Sequence, residues 1–347
     1  MESTRPVSGS HSSRTARVML GGDVMLGRTV KEYILLHGPQ YPLGPIAGLM
    51  RGADLTIVNL ECAITSSDTR WPGAPKAFYF GAPLQAVHSL VDAGVDLVSL
   101  ANNHVLDYGI DGLRDTLRQL HRHGITQAGA GETLSQALTP AVIDRNGLRF
   151  GMAAFCDHQE DFAAQLLSPG MAYLDLKDEA ATLAVWRSEL ETLRQRQVDW
   201  PILSLHWGPN MVWRPAERFR RLAHLAIDMG WKIVFGHSAH VFQGIELYRG
   251  CPIIYAAGDL VDDYYVEPEF ANDHQLLIEL EVDGDCLRRM LLHPIYIEDC
   301  QARPATGGHF VRVLDVISAL CQEMGATVKQ DAVHGIRIEV GNGWQPQ

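Results

Sequence analysis

The sequence predicts an α/β protein, on three observations. Apolar, β-branched runs recur from residue 17 to about 156, separated by short connections and by segments with helical periodicity. These runs repeatedly end in glycine or in Asp, Glu, Asn or His, as expected where strand carboxyl ends open into ligand-binding loops. Finally, 347 residues with 46% hydrophobic content and a mean hydropathy near zero can bury a sizeable core, in one large domain or two modest ones.

Composition removes several function classes. No window reaches the roughly 18 uninterrupted apolar residues of a membrane helix. Residues 1–16 are polar, Ser-rich and without an apolar stretch, so a disordered tail is expected there. Six cysteines lie scattered without C-x-x-C spacing, which argues against a zinc knuckle or a disulfide framework and points to a reducing cytoplasm. The formal charge of −12, from 41 acidic and 29 basic residues with no Lys/Arg run, excludes a phosphate-backbone track and hence nucleic acid. An acidic chain that handles an anionic substrate needs local positive charge, which metal ions supply densely.

Taken in order, residues 17–28 read as a strand stopped by glycines with Asp23 at its end, and residues 54–61 as a buried strand that delivers Glu61. The Pro/Gly/aromatic stretch 71–83 is an ordered loop from which Lys76 reaches toward an anionic substrate group. A helix over 84–92 feeds a strand at 95–100, and Asn102, Asn103 and His104 follow it ahead of an amphipathic segment carrying Leu113, Leu117 and Leu120. The Gly run at 128–131 lacks G-x-G-x-x-G spacing, so no dinucleotide site is expected. A strand at 148–156 ends in Asp157 and His158, candidates for substrate contacts. A charged helix over 179–197 carries Leu183, Trp186, Leu190 and Leu193 on one face.

Two further strands, at 201–208 and 232–240, end in His206 and in His237 and His240. The strand within 252–264 leads into an acidic loop, where Asp262 and Asp263 are solvated. Residues 275–282 and 287–296 form a hairpin about Asp283-Gly284-Asp285 that should extend the second sheet. Helix 307–323, with Val311, Leu314, Ile317 and Leu320 inward, and a strand at 335–340 complete the chain. The expected organisation is a tail (1–16), one domain (17–300) and an accessory segment (301–347) on the same domain.

Five strand ends thus carry Asp, Glu, Asn-Asn-His, His and His-x-x-His. Mixed oxygen and imidazole donors without thiolate suit Zn, Mn or Fe. Two divalent ions would neutralise a phosphoryl oxygen and lower the pKa of a water between them. Asp23 or Glu61 could bridge such a pair, and the neutral amide of Asn103 could complete one ion without adding charge.

The motifs G-D-V-M-L-G-R (22–28), N-L-E (59–61), S-L-A-N-N-H-V-L-D-Y-G (99–109), H-W-G (206–208) and G-H-S-A-H-V (236–241) occur in that order. Together they resemble the CapA family, the capsule or poly-γ-glutamate synthesis branch of the calcineurin-like metallophosphoesterases. The resemblance implies a four-layer α/β/β/α sandwich around two mixed sheets. It implies Asp23, Glu61, Asn103, His206, His237 and His240 as metal ligands, with His104 near the leaving group as general acid, and it places Asp259 near a loop facing the metal edge. Asp23 is taken with His104 as catalytic, and Lys76, Asn102, Asp157, His158 and Asp259 are the candidates for substrate contact.

Three departures from the wider superfamily stand out. Met25 occupies the His position of the usual Asp-x-His, Glu61 replaces a bridging Asp, and Gly-His-x-x-His replaces Gly-His-x-His, which leaves the assignment of His237 and His240 to ions open. The resulting expectation is a metal-dependent hydrolase with two divalent ions, acting on a phosphoester of a small or medium-sized anionic metabolite. The alternatives are amide or acyl transfer in γ-glutamyl polymer synthesis, and a non-catalytic anion-binding scaffold.

Overall fold

The computed structural model describes residues 14–331 and 335–340. Most of the expected tail lies outside them, but Thr15 and Ala16 already belong to the first strand, Thr15–Val24, where Ala16 is buried and pairs with Val282.

That strand is the centre of the larger sheet. On one side it pairs in parallel with Leu55–Leu60, which is followed by Leu97–Ser99 and Thr126–Ala128. On the other it pairs antiparallel with His274–Asp283, followed by Cys286–Glu298, Gly335–Ile338 and Val328–Asp331. The short strand Asp259–Val261 joins its carboxyl end in parallel. The 274–298 hairpin therefore extends the first sheet, not the second, because its pairing partner is the chain's first strand. The second sheet runs Ile245–Tyr248, Cys251–Ile254, Ile233–His237, Trp200–His206, Leu148–Cys156, Ala141–Arg145, and its inner strands are parallel.

Side-chain alternation divides the second sheet between two cores. Phe150, Met152 and Ala154, Ile202, and Ile233 and Phe235 pack with residues of the first sheet. The intervening Ala153 and Phe155, Leu203 and Leu205, and Val234 pack with Trp186, Leu190 and Leu193 of helix Glu179–Gln195 and Phe219, Leu222 and Ala223 of helix Glu217–Met229. The first sheet is buried on both faces as well, with helices Arg28–His37, Gly44–Met50, Val87–Ala93 and Gly109–Arg122 contributing to its core. The order of layers is helix, sheet, sheet, helix.

Helix Gly307–Glu323 matches its expected span but is rotated from the expected face: Val313, Ile317, Leu320 and Cys321 are buried while Val311 is exposed. Cys321 meets the second sheet, its Sγ accepting the Ile245 amide at 3.4 Å. Among the described residues, no helix is long and apolar enough to cross a membrane.

Candidate metal centre

Parallel register gathers the polar strand ends at one edge. In the second sheet His206 is the direct neighbour of His237. In the first, Asp23 lies opposite Asn59 on one side and Asp259 on the other. The 258 loop and the tip of the first strand touch closely enough that a Cβ on Gly22 would lie 1.8 Å from the Gly258 carbonyl oxygen. Gly258 itself has φ +75°, a conformation that favours glycine. Beyond His237 the chain bends through Ser238 (φ +98°) and His240 (φ +57°), strained values for side chains of this kind. The bend turns the Ser238 amide onto Asp23 Oδ2 at 3.1 Å.

Two groups of donors result, and Asp23 belongs to both. One is Asp23, His206 and His237; the other is Asp23, Glu61, His240 and Asp259, with the donor atoms of each group within 4.8 Å of one another. His237 and His240, unassigned by sequence, fall into different groups. Asp23 Oδ1 also accepts from Asn59 Nδ2 at 2.7 Å. His206 Nδ1 meets His237 Nδ1 at 2.8 Å, His206 Nε2 meets Asn103 Oδ1 at 3.0 Å, and His237 Nε2 meets Ser204 Oγ at 2.9 Å. His240 Nδ1 lies 3.0 Å from Asp259 Oδ1. Both carboxylate oxygens of Glu61, and Oδ2 of Asp259, are buried without a hydrogen-bond partner among the described residues. Oxygens so placed are costly unless a cation meets them, so these residues fit a divalent ion.

The electrostatics agree. Burial, reinforced by Asp259, raises the Asp23 carboxyl from 3.8 to about 7, and burial raises Asp259 to about 7. Burial, then Asp23 and Asp259, pushes Glu61 well above its usual range. Burial likewise holds His237 at about 3, His206 well below 6.5 and His240 below its ordinary value. The imidazoles are therefore neutral, the state that ligates metal.

Met25, standing where the resemblance leads to a ligand being expected, is in the core with its thioether accepting the Gly27 amide at 3.1 Å. Asp259, expected to face substrate from a loop, is instead a buried strand residue in the acid-rich group. Asp262, expected to be solvated, is buried against it, and burial plus Asp259 push its carboxyl well above the usual range.

His104 lies beside the groups, its Nε2 4.0 Å from Glu61 Oε1. Its Nδ1 meets Asp107 Oδ2 at 2.6 Å, its ring stacks on Phe80 at 3.7 Å, and burial lowers it to about 4 despite the Asp107 bond. Lys76 is committed to this assembly: its ammonium donates to the Asn103 carbonyl and to Asp107 Oδ1 and sits 4.9 Å over the Phe162 ring. Asn102 is turned into the frame, giving its amide to Asn59 Oδ1 (3.1 Å) and the Leu60 carbonyl (2.9 Å) and accepting from the His104 amide (3.1 Å). Asp157 holds His158 at 2.7 Å, and His158 Nε2 reaches the Gly208 carbonyl (2.8 Å) and Ser238 Oγ (3.2 Å) at the rim. Burial opposes the charged form of His158, but the Asp157 bond outweighs it and the imidazole stays above its ordinary value.

Sequence reasoning passed over Asn59, Asp107 and Asp262. The first two lie inside quoted motifs, Asn59 two residues before Glu61 and Asp107 three after His104, and that spacing was the available signal. Asp262 carried none.

A profile of the family described as bacterial capsule synthesis protein PGA_cap matches residues 17–264, which includes every residue of both donor groups. The chain belongs to this PGA_cap family. The capsule biosynthesis protein CapA of Bacillus anthracis is 27% identical over 263 residues, covering 76% of this chain and 63% of that protein, so the chain spans less than two thirds of that relative. A probable polyglutamine synthesis accessory protein of Mycobacterium tuberculosis is 32% identical over 291 residues, covering 71% of this chain and 74% of that one. Among solved structures, this PGA_cap protein is similar to the NAD nucleotidase of Haemophilus influenzae (12% identity, TM-score 0.43, 88% of this chain and 56% of that chain). It is also similar to a 5'-nucleotidase precursor of Thermus thermophilus (12%, TM-score 0.42, 90% and 59%).

Proposed function

We propose that the chain is a metal-dependent hydrolase with a dinuclear centre acting on a phosphoester of an anionic metabolite. One observation carries the reading: Asp23 is common to two compact donor groups while both Glu61 oxygens are buried without a partner. Asp23 would be shared between the ions, with His206, His237 and the Asn103 side-chain oxygen on one and Glu61, His240 and Asp259 on the other. Two such ions supply Lewis acidity and an activated water.

The chain's own residues do the rest. Asn59 and the Ser238 amide fix the two Asp23 oxygens. Asp107 accepts Nδ1–H of His104 and so leaves Nε2 toward Glu61. An anionic substrate beside that ring raises its proton affinity, which suits His104 to deliver a proton to a leaving oxygen. Lys76 balances the charge of Asp107, so Asp107 orients the imidazole without competing for its proton.

The relatives' names favour a second reading, in which the same centre works on the amide bonds of a glutamyl polymer. Plasma mass spectrometry on chelator-free protein, alongside Asp23→Ala and His237→Ala, tests the centre. Near two ions in wild type and fewer in both variants supports it, whereas no metal in any preparation leaves only an anion-binding scaffold. A panel of aryl phosphates and γ-glutamyl amides then separates the two chemistries by product.

A further inference from the structure

Tyr264 sits at the end of the matched region and has no role in the assignments above. Its ring meets His240 edge-on at 4.9 Å and Phe80 at 5.9 Å, and Phe80 stacks in turn on His104. The phenol thus lies between a residue of the acid-rich group and the candidate proton donor. The amide of Tyr264 is anchored on Asp262 Oδ1 at 2.8 Å, which fixes the approach of the side chain. Its hydroxyl is buried and has no hydrogen-bond partner among the described residues. Burial first, and then the carboxyls of Glu61, Asp259, Asp262 and Asp23, disfavour its ionised form.

A buried hydroxyl without a partner is costly, and this one is held at the centre of the site by aromatic contacts on two sides. Lys76, whose ammonium lies 3.4 Å from His104 Nδ1, is committed to Asp107 and the Asn103 carbonyl. A neutral O–H donor tolerates the surrounding carboxyls while still offering a proton to an anionic oxygen. We propose that Tyr264 is a substrate-contacting catalytic residue whose phenol donates a hydrogen bond to a non-bridging oxygen of a bound phosphoryl group.

The inference rests on the phosphoester reading of the same site, and the test separates the two. Metal-loaded wild type and Tyr264→Phe are compared for metal content, for inorganic phosphate binding by calorimetry, and for turnover of an aryl phosphate. The expected result is unchanged metal content, phosphate affinity lower by about 10-fold, and kcat lower by about 10²-fold with a smaller change in KM. Wild-type phosphate affinity in Tyr264→Phe overturns the proposal, as does loss of metal in that variant, which would make the phenol part of the metal centre. A wild type that turns over no phosphate ester yet binds phosphate in a Tyr264-dependent way refutes the hydrolase reading and supports this donor. Wild type that binds metal but not phosphate overturns it. Should Tyr264→Phe fail to fold, fluorotyrosine at position 264 reads the contact directly: its fluorine resonance shifts on phosphate addition if the phenol is a donor, and stays fixed if it is not.

Discussion

The two donor groups share Asp23 and differ in how well the protein satisfies them. In the imidazole-rich group every ring nitrogen partner is supplied internally: His206 by His237 and Asn103, His237 by Ser204. In the acid-rich group Glu61 and Asp259 present bare oxygens, and burial raises both carboxyls. The first group is satisfied by its own contacts, whereas the second would gain from a cation it does not itself contain. An oxygen-rich set selects a hard divalent ion and an imidazole-rich set a borderline one, so the two positions should differ in metal preference.

The sharpest way to break this contrast is to remove what the groups share. Asp23→Ala should abolish both positions, with metal content near zero and turnover down by about 10³-fold. His104→Ala should leave both ions in place and lower kcat by about 10²-fold or more, with the acidic limb of the pH–rate profile altered. Retention of full activity by this variant would remove His104 from the chemistry.

A third prediction concerns pH. Asp23 and Asp259, raised to about 7 from 3.8, favour folding below their ordinary values and lose that contribution as pH rises through about 7. The buried histidines oppose this, because their pKa values fall on folding, but only below their ordinary 6.5. Between pH 6.5 and 8 the carboxyl effect is unopposed by them, and His158, whose value is raised, acts in the same direction. Chelated protein should therefore melt at progressively lower temperature across that window, and added Mn²⁺ should stabilise it most at pH 8. A flat profile in chelator would show that these acids are not desolvated. The smallest expected effect is that of Glu61→Gln, which removes one acid from the unsatisfied group only. It should lose one ion and keep the other, while at pH 8 its metal-free form melts about 2 °C above metal-free wild type.

How much of this the sequence disclosed follows from where the information lies. Strand ends in parallel sheets are local: an apolar run followed by Asp23, Glu61 or His206 announces both the strand and the site, and these positions were readable. The layers were readable through the same runs, whose alternation separates Phe235 from Val234. Nonlocal facts were not. The hairpin at 274–298 looks the same whichever sheet it joins, and only its pairing with the first strand decides. Asp259 and Asp262 lie in a stretch that reads as an acidic loop, because nothing in it signals that the first strand pairs with Asp259 and that both carboxyls are enclosed. Asn102 and Lys76 carry the residue types of ligand contacts, and their commitment to Asn59 and Asp107 is a matter of side-chain direction.

The division of donors between sheets has a kinetic corollary. Asp23, Glu61 and Asp259 belong to the first sheet or leave its strands, whereas His206, His237 and His240 come from the second. A half-assembled chain offers an ion carboxylates without imidazoles or imidazoles without carboxylates, and Asp23 cannot be held in common until the layers have closed. Tight uptake of a second ion would therefore work as a clock on the last step of folding, and an ion once seated would rivet one sheet to the other.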